Sequence, residues 1–172
     1  MGADIIVCVE QLVDDQWTNI DLWERMPDCS FSHNACYTAQ SYALFGVLAD
    51  VREPDVDAYI ERRGFPVNAC PVTHNLYVKD DDAHSPTYLA LQEVYEAAQY
   101  ANKMCNDAAV KLAYEIRRTY VHARTALNKF IEQVVSHILR INPSDASLLG
   151  SADFERRAAA RSKYRVVIWF EC

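Results

Sequence analysis

The sequence predicts an α+β domain: a small, mostly antiparallel sheet made of an N-terminal hairpin and a C-terminal strand, covered by helices that include a long helical hairpin. Three observations carry this expectation. Residues 3–13 are rich in β-branched side chains. Residues 87–142 contain neither Gly nor Pro and repeat an apolar residue every three or four positions. Residues 164–170, Tyr-Arg-Val-Val-Ile-Trp-Phe, are apolar on both alternating sides, which places them inside a sheet, beside the first strand.

Each element follows in order. Asp14-Asp15-Gln16 reads as a turn, and Trp17 to Trp23 alternates, with Trp17, Asn19, Asp21 and Trp23 on one side. The two runs suggest a β-hairpin. Residues 27–38 read as a loop, and 39–51 as a helix carrying Tyr42, Phe45, Leu48 and Ala49 on one stripe. Residues 52–86 hold four prolines, Gly64 and the run Asp80-Asp81-Asp82. They predict an irregular, functional loop with short edge strands at 57–60 and 75–78. Ser85 suits an N-cap and Pro86 a first helical position, so the long helical segment is expected to open there. As one helix it would extend ~84 Å, far beyond the ~16 Å radius of gyration of a compact domain this size. A break at 102–107, rich in poor helix formers, is therefore preferred. Asn142-Pro143 ends the segment, and Ser151 caps a short helix through Arg161.

The 172 residues, 51% hydrophobic and 24% charged, make a single domain, 1–172, long enough to bury ~70% of its unfolded surface. Disorder is not expected at this apolar content. No apolar stretch approaches the ~20 residues of a membrane span, and no cationic start precedes an apolar run, so neither a membrane partner nor export is expected. Reduced thiols are then favoured over disulfides for the six cysteines. The net charge of −7 is uneven: residues 1–86 hold 15 acids and 5 bases, residues 87–172 hold 9 acids and 12 bases. The acidic half argues against direct nucleic-acid binding.

Several pieces together resemble a family of small uncharacterised bacteriophage proteins. The opening Met1-Gly2-Ala3-Asp4-Ile5, followed by Val9-Glu10 and Trp17, is similar to the family's Met-Gly-Cys-Asp-Ile-His start. Residues 42–52 resemble its Tyr-Asp-Leu-Phe block, Arg63-Gly64-Phe65-Pro66 its Arg-Gly-Leu-Pro loop, Asp82-Ala83-His84-Ser85 its Gly-His-Ser-His-Ser segment, and residues 167–171 its closing strand before Phe-Asp-Asn. Residues 92–160 are unmatched. The resemblance implies a phage protein expressed in the cytoplasm of an infected bacterial host, and no reaction. Where the family has His, this chain has Ile6, and where it has Arg-Asn-Tyr-Asp, this chain has Gln40-Ser41-Tyr42-Ala43.

Candidate chemistry falls into four groups. Cys29, His33 and Cys36, with Cys70 and His74, offer thiolate and imidazole donors in two loops, so zinc is the one cofactor considered and none is required. Asp4, Glu10, Arg52, Arg63 and His84 are the family-like polar positions and form a candidate ligand pocket, with Arg suited to phosphate or carboxylate. Asp55, Asp57, Asp80, Asp81 and Asp82 form a candidate partner surface, because acidic loops repel nucleic acid and can occupy a basic groove. The basic side of the helical segment, from Arg117-Arg118 to Arg140, suits self-association into a homo-oligomer. No phosphate-cradling or nucleophile-elbow motif is present, so no catalytic residue is assigned. The leading expectation is a non-enzymatic accessory protein that binds its target stoichiometrically. That target is a host protein such as a nucleic-acid-binding defence component, as an anti-CRISPR inhibitor would bind, or else a nucleotide signal that it sequesters. The alternative is a metal-dependent hydrolase or nuclease using Asp4, Glu10 and His84.

Overall fold

The computed structural model describes residues 4–28, 30–37, 40–51, 56–107 and 114–171. The strands are β1 (Asp4–Val13), β2 (Gln16–Asn19), β3 (Leu22–Arg25), β4 (Phe31–Asn34), β5 (His84–Ala90) and β6 (Tyr164–Glu171). The helices are α1 (Tyr42–Ala49), α2 (Pro71–Lys79), α3 (Leu91–Asn106), α4 (Tyr114–Ile141), a single turn α5 (Ala146–Leu149) and α6 (Phe154–Arg161). The architecture is α+β. A four-stranded sheet runs in the order β2-β1-β6-β5, and β3-β4 form a separate hairpin. Every strand pairing is antiparallel.

The termini of the fold meet in the middle of the sheet. β1 pairs with β6 from Asp4↔Glu171 to Gln11↔Tyr164, as the two-sided apolarity of residues 164–170 predicts. Alternation then sorts the side chains. Ile5, Val7, Val9, Tyr164, Val166, Ile168 and Phe170 join one core with α1, α3 and α4. Cys8, Val167 and Trp169 face the other way, under Ile6, Phe65, Leu76, Tyr77, Ala83 and Tyr88. Both faces are therefore covered, and each fully buried Val, Ile or Phe contributes about 1.5–3 kcal/mol.

The hairpin turn is tight because Asp14 and Asp15 both take positive φ, at 47° and 61°. That is the geometry of a two-residue connection matching strand twist. The alternation of Trp17 to Trp23 is interrupted, however. β2 ends at Asn19, because the Asp21 carboxylate replaces it as the acceptor for the Val9 N–H at 2.9 Å, and the chain leaves to build β3-β4. The loop expected over 27–38 thus contains a strand.

The helical hairpin is present, shorter than expected at its start. Residues 84–90 pair with β6 as the sheet's edge strand, and Ser85 and Pro86 cap no helix. Ser85 sits at φ 52° and Pro86 lies in a register irregularity between His84 and Thr87. A bulge on an edge strand is where a residue without an N–H is tolerated. α3 begins at Leu91, and Glu93 accepts the free Ala90 N–H at 2.8 Å. It ends at Asn106, within the expected break, and α4 packs back along it through the Tyr100–Tyr120 ring pair and an Arg124–Asn102 hydrogen bond. The apolar stripe of α4, from Tyr120 to Ile138, is consumed by this core.

The strands expected at 57–60 and 75–78 are absent. The former is irregular and the latter belongs to α2, whose Pro71 stands in the first turn. The final short helix is capped by Asp153, which accepts the Arg156 N–H, rather than by Ser151. None of the described helices is long and apolar enough to cross a membrane.

Candidate functional site

The second face of the sheet carries the polar chemistry. Two of its groups are structural. Glu10 and Arg165, cross-strand partners on β1 and β6, form a buried ion pair with Arg165 Nη2 2.6 Å from Glu10 Oε2. The second Glu10 oxygen accepts the Cys70 N–H at 2.8 Å. Arg165 also donates to the Asn68 side chain and carbonyl and lies 4.0 Å from the Trp17 ring centre. Both Glu10 oxygens accept hydrogen bonds, and this pair fastens the 68–70 loop to the sheet.

At the opposite end of the same strands is a cleft of about 850 Å³. Its lining includes Glu24 on β3, His33 on β4, Asp80, Asp81 and Asp82 after α2, and Trp169 and Glu171 on β6. The acids arrive there for local reasons. α2 stops at Lys79. Asp80 turns the chain by accepting the Asp82 N–H through Oδ1 and anchors it by accepting the Trp169 indole N–H at 2.6 Å through Oδ2. Three acids thus sit at a helix C-terminus, where the helix dipole is already negative and where only Lys79 compensates. Across the cleft the Glu171 carboxyl is held above its ordinary pKa. Partial burial is the main cause, followed by its hydrogen bond to Asp80 and the charges of Asp80, Asp4 and Asp82. The acids repel one another and are kept together by the fold.

Beneath the cleft, at the edge of β1 vacated by β2, lies a second cluster. The Asp21 carboxylate accepts from Val9 N–H and from the Asn19 amide at 2.8 Å, and lies 2.9 Å from His33 Nε2. Its Oδ1 is 4.0 Å from His137 Nε2, and His137 reaches the Ile20 carbonyl at 2.9 Å. Ligating atoms of Cys8, Asp21 and His33 all lie within 4.8 Å of one another. Burial, and next the charge of Asp21, push the Cys8 thiol far up, and the same two causes push Cys36 up to about 12. Cys36 and His137 line a neighbouring cleft of about 580 Å³ with Lys129 and Arg140.

The residues singled out from sequence are therefore redistributed. Asp4 and Glu10 stand six residues apart on one strand, about 20 Å, and do not share a site. Arg63 makes a two-pronged pair with Glu93, and His84 lies beside Ser85 and the Phe170 ring. Arg52, Asp55 and Cys29 lie outside the described residues. Asp57 bonds through its N–H to Tyr120 in the helical layer, away from Asp80–Asp82, so these do not form one acidic surface. Of the Cys/His positions, His33 comes together with Cys8 and Asp21, while Cys36 lines the neighbouring cleft. Cys70 instead hydrogen-bonds Glu10 and Thr73, and the His74 ring packs against Phe65. Glu24, Trp169 and Glu171 join the cleft without any sequence signal, because only strand register brings them there. No family model matches this chain, and no curated protein and no solved structure matches it.

Proposed function

We propose that this protein acts by stoichiometric binding of a basic protein surface in the acidic cleft. The observation that supports the reading is the convergence of Glu24, Asp80, Asp81, Asp82 and Glu171 on one cavity, with Lys79 the single Lys or Arg among the described residues that line it. This arrangement opposes local stability at the end of α2 and at Glu171, and a cationic partner would relieve it. A concave, low-dielectric wall of one sign focuses the field and steers a cation inward. A groove built for nucleic acid presents the complementary surface. The phage-protein resemblance makes a nucleic-acid-binding defence protein of the bacterial host the kind of target proposed, with inhibition by occupancy and no turnover.

The test is a calorimetric titration with a ten-residue Lys/Arg peptide and with a neutral peptide of equal length. One basic peptide is expected per chain, with affinity falling as salt screens the contact. The triple variant Asp80→Asn, Asp82→Asn, Glu171→Gln is expected to abolish binding, and Asp57→Asn to leave it intact. Equal binding of both peptides, or unchanged binding by the triple variant, sinks the proposal.

A further inference from the structure

The geometry points to a divalent-metal site of zinc chemistry at Cys8, Asp21 and His33. Three different donor types, a thiol, a carboxylate and an imidazole, come from three separate pieces of chain: β1, the segment after β2, and β4. Their ligating atoms lie within 4.8 Å of one another. Zinc bonds of ~2.0–2.3 Å set donor separations on the order of 3.2–3.8 Å in a tetrahedron, so small side-chain rotations close the site.

The environment argues in the same direction. Cys8 and Asp21 are both buried, and a cation bound between them would convert the thiol to a thiolate ligand. Cys8 is a free thiol. The Asp21 carboxylate is already oriented by Val9 N–H and the Asn19 amide, the outer-shell support that fixes a ligand. His33 also lines the acidic cleft, which gives a cation its route inward. On binding, the Cys8 thiol proton leaves to solvent, and the imidazole presents Nε2 as a lone pair with its proton on Nδ1. The metal would pin the β3-β4 hairpin to the sheet edge.

The experiment titrates chelator-treated full-length protein with Co²⁺ and then with Zn²⁺. One equivalent of Co²⁺ is expected to develop a thiolate-to-cobalt charge-transfer band with tetrahedral visible absorption, and Zn²⁺ to bleach both. Cys8→Ser is expected to remove the charge-transfer band. The part-exposed His33→Gln, which leaves the core intact, is expected to weaken binding at least ~10-fold, the loss that even outer-shell changes produce. Cys70→Ser and Cys105→Ser are expected to titrate like the parent. The inference is overturned if no saturable band forms at one equivalent. It is equally overturned if the band survives His33→Gln unchanged, or if Cys70→Ser removes it.

Discussion

Glu10 and Arg165 show how much a single pair can decide. Both are buried, both Glu10 oxygens accept hydrogen bonds, and their register is set by the β1-β6 ladder. Removing one partner strands a buried charge. Arg165→Met is therefore expected to lower unfolding free energy by about 3–5 kcal/mol, measured by denaturant titration, while the double change Glu10→Leu, Arg165→Met is expected to recover much of it. Glu171 carries the opposite lesson. Its pKa is raised in the folded state, so the folded chain holds that proton more tightly than the unfolded chain does. The stabilisation linked to it is present below the ordinary glutamate range and is lost as pH rises through the raised value. Glu171→Gln is expected to stabilise the protein at neutral pH, with the gain vanishing toward pH ~4; thermal melts across that interval check it. A bound cation would favour the ionised form, so peptide affinity should strengthen as pH rises through the same window.

The elements divide by how they announce themselves. β1, β6 and the paired helices were legible because their signals are periodic and long: the two-sided apolarity of 164–170 gave both the strand and its neighbour. β5 was not legible. Its Ser-Pro start imitates a helix opening, and only pairing with β6 makes residues 84–90 extended. α2 was missed because its nine residues carry little amphipathic pattern, with Thr73 its one buried side chain. The candidate site was legible only in its Asp80–Asp82 run and at His33. Cys8 reads as a small core hydrophobe, and Asp21 as one polar position in an alternating strand, until the early end of β2 brings them together. One helix terminus offers a direct check. α1 ends at Asp50, an exposed acid held at φ 54° in the left-handed region, with its N–H bonded to the Gly46 carbonyl. Asp50→Gly removes both the backbone strain and an acid at the wrong end of the helix dipole. It is expected to raise stability by about 1 kcal/mol in denaturant titration.

At the scale of the whole molecule, the uneven charge becomes a spatial arrangement. The acidic first half supplies β1 to β4, α1 and α2, and the basic second half supplies α3 to α6 and the central strand β6. The cleft lies where they meet: Glu24 and Asp80–Asp82 come from the first half, Trp169 and Glu171 from the second. Two basic residues of α4, Lys129 and Arg140, line the neighbouring cleft instead. The most direct test of binding in the cleft is amide hydrogen exchange, with and without the Lys/Arg peptide. Added protection is expected at residues 31–34, 79–83 and 169–171, around the cleft. Protection along α4 or around residue 57, with the cleft unchanged, would contradict it.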